Sequence, residues 1–96
     1  IRNAHPHICN DLVSVVHNGI IENHQALRNT QLQQGFKFTS ETDTEVIAHQ
    51  VRHYHQHGDL LHAVKETVET LTGTYALGVI STLEPNRLIV ARRGSP

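Results

Sequence analysis

Val13, Val15 and Val16, followed closely by Ile20 and Ile21, form the densest β-branched cluster in the chain. A short apolar run of this kind predicts a buried strand over residues 12–16. His17-Asn18-Gly19 interrupts the run. Asn-Gly is the strongest short turn signal, because both residues tolerate positive φ. A tight turn is therefore expected at 17–19, with Ile20-Ile21 resuming behind it. Asn23 can cap a helix over 24–34 that turns Ala26, Leu27 and Leu32 inward and ends at Gly35. Phe36-Lys37-Phe38-Thr39 alternates like a short strand. The polar stretch Ser40-Glu41-Thr42-Asp43 then places Thr42 or Asp43 as the cap of a helix over 44–57. Val46, Ile47, Val51 and Tyr54 mark its buried side, and Gly58 stops it. Asp59 caps a third helix, in which Leu60, Leu61, Val64, Val68 and Leu71 recur at helical spacing. Beyond Thr72-Gly73, residues 75–80 and 87–91 read as strands joined by a Glu84-Pro85-Asn86 turn, an antiparallel hairpin. The order strand, helix, short strand, helix, helix, hairpin is that of an α+β protein.

Composition narrows the function classes. At 96 residues the chain has room for one domain. It carries 8 Lys and Arg against 9 Asp and Glu, which argues against a nucleic-acid partner. No apolar run approaches the roughly 20 residues a membrane helix needs. The single cysteine, Cys9, excludes an internal disulfide framework and a multi-cysteine zinc module. It suits a reducing compartment, and no apolar signal segment opens the chain, so a cytoplasmic location is expected. The sequence opens on Ile1, contains no Met, and closes on Gly94-Ser95-Pro96 directly after a strand-like run. A segment of a longer protein is the expectation. Strands cut from their sheet leave unpaired edges, so self-association is expected as well.

Several groups of residues could carry chemistry. An Asn carboxamide and a Gly backbone N–H, at Asn18 and Gly19, can converge on one point, as an oxyanion hole requires. Standing alone, the same pair is more often a plain hairpin turn. The acidic and hydroxyl residues of Ser40-Glu41-Thr42-Asp43-Thr44-Glu45 suit a helix start through capping and the helix dipole. The alternative is that Asp43 faces a pocket and pairs with a ligand ammonium. Nine histidines are many for this length. His49, His53 and His57 share one helix face at i, i+4, i+8. No completing carboxylate or cysteine is evident there, so a solvated stripe is expected rather than a metal site. Cys9, beside the first strand, reads as an inert core thiol rather than a nucleophile. Arg92-Arg93 at a strand end could hold a phosphate or carboxylate, although surface arginines are commoner.

Three stretches taken together are specific. Asn3-Ala4-His5-Pro6-His7, His17-Asn18-Gly19-Ile20-Ile21-Glu22-Asn23 and the run from Ser40 to His49 closely resemble the glutaminase domain of the glutamine–fructose-6-phosphate aminotransferases (isomerizing), or glucosamine-6-phosphate synthases. Gly73-Thr74-Tyr75-Ala76 and Ala91-Arg92-Arg93-Gly94-Ser95-Pro96 fit too, so the resemblance covers nearly the whole chain. His-Asn-Gly alone would indicate only the wider class of N-terminal-nucleophile (class II) amidotransferases. The resemblance implies part of a four-layer αββα sandwich. It implies an N-terminal Cys that attacks the side-chain amide of glutamine to form a γ-glutamyl thioester. The ammonia then passes to a separate isomerase domain, where fructose 6-phosphate becomes glucosamine 6-phosphate. No cofactor and no metal are implied. By position Asn18 and Gly19 match the oxyanion hole, Asp43 the carboxylate that holds the α-ammonium of glutamine, and His5 a histidine near the substrate. Neither the nucleophile nor the Arg loop that grips the glutamine carboxylate has a match here; Cys9 does not correspond to the nucleophile. The chain alone is therefore expected to be inactive. The alternatives are a segment of another class II amidotransferase and a non-catalytic ligand-binding module on the same fold.

Overall fold

A computed structural model describes residues 7–9 and 12–94. Four strands, β1 (His7–Cys9), β2 (Val13–Ile21), β3 (Gly73–Ser81) and β4 (Ile89–Arg93), form one antiparallel sheet in the order β1-β2-β3-β4. Three helices, α1 (His24–Gln33), α2 (Asp43–His55) and α3 (Leu60–Thr70), come between β2 and β3. The core lies between one sheet face and the helices. Val13, Val15 and Ile21 of β2 and Tyr75, Leu77 and Val79 of β3 meet Ile47, Ala48 and Val51 of α2 and Leu60, Ala63 and Val64 of α3. The period-2 alternation of each strand puts the remaining residues on the other face, where no helix lies among the described residues: Val16, Ile80 and Val90 are exposed there. Among the described residues no helix is long and apolar enough to cross a membrane.

The turn expected at 17–19 is absent. β2 runs unbroken through it, and Asn18 and Gly19 pair with Ala76 and Tyr75 of β3. The signal was real but served another end. Gly19 does adopt a positive φ, +112°, where a Cβ would collide with the Thr74 carbonyl oxygen. Gly19 thus lets two strand backbones approach closely instead of reversing the chain.

Other expectations shift in similar ways. Asn23 precedes α1, but its side chain bridges elsewhere, to the Thr70 carbonyl at 2.7 Å and the Thr72 N–H at 3.0 Å. In α1 it is Gln31 that is buried, while Ala26 is exposed and Leu32 is 51% exposed. The Gln31 amide donates to the Val46 carbonyl and to Gln50 Oε1, so a polar residue joins α1 to α2. Residues 36–39 are irregular rather than a strand. They lie over α2, which is buried without a break from Thr44 to Val51. Thr42 and Asp59 are the caps of α2 and α3, accepting from the N–H groups of Glu45 and His62. The β3–β4 hairpin forms as expected, with β4 beginning two residues later than the pattern suggested. Its loop docks on α3, where Glu84 accepts from the Leu60 N–H at 2.8 Å.

Candidate functional site

β1 pairs only with Val13, Ser14 and Val15. From Val16 onward the outer edge of β2 has no partner strand among the described residues, and there the sequence-predicted residues gather. Asn18 and Gly19 are both exposed. The alternation that buries Val13 and Val15 turns Asn18 to the open face of the sheet, in one row with Ala76 and Arg92. This row borders a groove of about 750 Å³ whose walls include Val16, Gly78, Leu88 and Val90. The floor is apolar, and Asn18 and Arg92 bring the polar groups.

Asp43 opens α2 and reaches the same edge. Its Oδ2 accepts from the Ile21 N–H at 3.4 Å, two residues beyond Gly19. Its Oδ1 lies 3.8 Å from His24 Nδ1. The carboxylate stays partly exposed, open to a further partner. His17 lies between β2 and this helix start, with Nδ1 3.3 Å from Thr44 Oγ1. Its Nε2 is buried with no hydrogen-bond partner among the described residues. Burial pushes the His17 pKa below its ordinary value, against the opposing pull of the Asp43 charge. The ring is thus held neutral beside the candidate site.

The loop leading into Asp43 is held by Glu45, His49 and Arg28, to which the sequence assigned no such role. Glu45 is buried. Its Oε2 accepts from the Thr39 N–H at 2.8 Å, and its Oε1 from the Ser40 N–H and hydroxyl, each at 2.7 Å. His49 Nε2 lies 3.1 Å from Oε2, which fixes the Nε2–H tautomer when the ring is neutral. Burial alone would raise the Glu45 pKa. The hydrogen bonds from Ser40, Thr39 and His49 outweigh it and hold the carboxyl below its usual value. From the other side Arg28 donates to the carbonyls of Ser40 and Thr42 at 3.1 and 3.4 Å, with its guanidinium 4.5 Å above the Phe38 ring.

His49 is therefore not part of a solvated stripe. Phe36 and Phe38 cover its ring, at centroid distances of 4.8 and 4.6 Å. The carboxylate that seemed missing from that face is Glu45, one turn earlier. His53 is half-buried, and His57 lies past the end of α2. Among the described residues no three His, Cys, Asp or Glu side chains cluster as metal ligands. Arg93 donates to the Leu71 carbonyl at 3.4 Å. His5 lies outside the described residues, as does the side chain of Cys9.

Comparison with known proteins decides the family. Residues 2–94 match the model of the glutamine amidotransferase domain. The chain belongs to this family. It is 56% identical over 95 residues to the glutamine–fructose-6-phosphate aminotransferase (isomerizing) of Idiomarina loihiensis, covering 98% of this chain and 16% of that protein. The enzyme of the same name from Pseudomonas aeruginosa is 55% identical over 95 residues, again with 98% and 16% covered. The chain thus spans about a sixth of the length of these relatives. Among solved structures, glutamine phosphoribosylpyrophosphate amidotransferase from B. subtilis superposes with a TM-score of 0.73 at 30% identity, over 83% of this chain and 17% of that one. An allosteric regulatory enzyme of purine biosynthesis gives 0.74, also at 30% identity, over 86% and 17%. The amidotransferase fold explains the one-sided helical cover: the chain is an α layer and a β layer of the αββα sandwich.

Proposed function

We propose that this segment supplies the oxyanion-stabilising and ammonium-holding part of a glutaminase site, within an enzyme that makes glucosamine 6-phosphate and glutamate from fructose 6-phosphate and glutamine. The observation that carries the reading is the meeting of Asp43 with β2 two residues beyond Gly19. A carboxylate suited to an ammonium and a pair of amide donors thereby share one strand end, on an edge that no neighbouring strand covers among the described residues.

The chemistry follows from these groups. A thiol from outside these 96 residues attacks the side-chain amide carbon of glutamine. The carbonyl oxygen gains negative charge, and the Asn18 carboxamide and the Gly19 N–H donate to it; one such donor lowers a barrier by roughly 3 kcal/mol. Collapse of the intermediate breaks the C–N bond, releases ammonia and leaves a γ-glutamyl thioester, which water converts to glutamate. Asp43 holds the substrate α-ammonium through a charge-assisted hydrogen bond, fixing which end of the molecule meets the thiol. His5, by its match to the family's histidine near the substrate, is included in the proposed site. The ammonia goes to a sugar phosphate held by a part of the enzyme outside this segment. A cytoplasmic location is part of the same proposal, in keeping with the single cysteine.

The test is glutamine hydrolysis by the full-length protein containing this segment. Asn18→Ala should lower kcat, and Asp43→Asn should raise KM for glutamine about tenfold or more, as loss of a charge-assisted contact does. Full activity in both variants would remove the assignment. The 96-residue chain alone should release no glutamate from glutamine.

A further inference from the structure

The loop that delivers Asp43 is held more firmly than a helix start requires. In a capping box, Thr42 would bond the Glu45 N–H and Glu45 would reach back to the Thr42 N–H. Only the first half is formed. The Thr42 N–H bonds to Ser40 Oγ instead, and Glu45 passes over Thr42 to collect the amides of Thr39 and Ser40. Arg28 collects the carbonyls of Ser40 and Thr42 from α1. Donors and acceptors of one irregular loop are thus taken up by two opposite charges on two helices.

A fully buried carboxylate is costly unless its oxygens are satisfied, and capping alone could be done by a hydroxyl. What this arrangement adds is a fixed path for the residues immediately before Asp43. Building on the proposed role of Asp43, we infer that Glu45, assisted by Arg28, is a positioning residue that sets where the Asp43 carboxylate lies and so the site's preference for substrates bearing an α-ammonium group. Glu45 touches no substrate. It acts through the loop, and His49, packed against Phe36 and Phe38, keeps its carboxylate oriented. Glutamine at position 45 cannot substitute. Each Glu45 oxygen accepts from a backbone N–H, and an amide must turn an NH₂ donor toward one of them.

The experiment uses the full-length protein and two competitive inhibitors of glutamine hydrolysis, L-glutamate and glutarate, which differ only in the α-amino group. Asp43→Asn should weaken glutamate and leave glutarate unchanged; without that result the reading of Asp43 fails, and this inference with it. Glu45→Gln should raise the inhibition constant of glutamate about tenfold while glutarate stays within about twofold, the scale expected of a displaced anchor. Ser40→Ala, which removes one donor to Glu45, should shift glutamate in the same direction by less and keeps the test open should Glu45→Gln not fold. Glu45→Gln and Ser40→Ala matching wild type while Asp43→Asn loses discrimination would overturn the inference and leave the Asp43 reading standing. Equal weakening of both inhibitors by Glu45→Gln would mark a purely structural role and overturn it too.

Discussion

Gly19 meets a demand for close strand approach, and under the proposed function it also supplies a backbone donor. Gly19→Ala places a methyl against the Thr74 carbonyl in a backbone region that Ala avoids. A destabilisation of about 1–3 kcal/mol is expected, measurable by urea unfolding. Asn18→Ala removes a donor without such strain, since Asn18 is exposed. In the full-length protein it should cost about 10²–10³ in kcat with little change in stability. Buried Glu45 and half-buried His17 shape the acid response. Glu45 is held below its ordinary 4.5, so its stabilising contribution is complete above that pH and is lost as pH falls through the lower folded value. His17 is held below its ordinary 6.5, so below that pH the unfolded chain takes up a proton that the folded chain refuses. Both act in the same sense, and stability falls on acidification. Urea midpoints measured across that range should decline in two stages, the upper one abolished by His17→Gln. A flat profile down to about pH 5 would contradict the His17 assignment.

At the scale of elements, the punctuation of the sequence was legible and the faces were less so. Thr42, Asp59, Gly35 and Gly58 bound their helices as local chemistry dictates, and the closing hairpin forms as its pattern predicts. Thr42→Ala should cost about 1 kcal/mol of stability, the usual worth of such a cap. The misreadings share a cause: each is decided by a neighbour far away in sequence. Asn-Gly signals a turn only when the chain is free to reverse, and here β3 holds it straight. Phe36 and Phe38 alternate like a strand, yet they serve as a cover for His49. In α2 Val46, Ile47 and Val51 are buried as their spacing predicts, but periodicity could not show that the opposite side of its first turns, His49 included, is covered as well. Of the candidate site, Asn18, Gly19 and Asp43 were visible through a family resemblance, with only weak support from spacing. Glu45 and His49 carried a usable signal in their i, i+4 carboxylate–imidazole spacing, but the loop amides that give the pair its meaning are tertiary facts.

For the molecule as a whole, the described residues leave the sheet with one covered face and one open face. Val90 is 70% exposed and Ile80 48%, on the face opposite buried Tyr75, Leu77 and Val79 of β3 and half-buried Ile89 and Ala91 of β4. Contiguous apolar surface of this kind seeks a cover. In the sandwich to which this family belongs a second sheet provides it. The 96-residue chain in isolation should therefore bind an environment-sensitive hydrophobic dye and associate as concentration rises. Replacing Val16 and Val90 together by Ser should reduce both effects, as read by fluorescence and sedimentation. The candidate donors at Asn18 border this same open face while Asp43 approaches from the helical side. A complete site would thus form where the covering layer meets the free end of β2. The most direct measurement is to give the full-length protein glutamine and fructose 6-phosphate and quantify glutamate and glucosamine 6-phosphate together. The proposed function predicts that both appear in equal amounts and that Asn18→Ala suppresses both. Glutamate without the aminosugar would contradict the acceptor, and the absence of both products would contradict the glutaminase assignment itself.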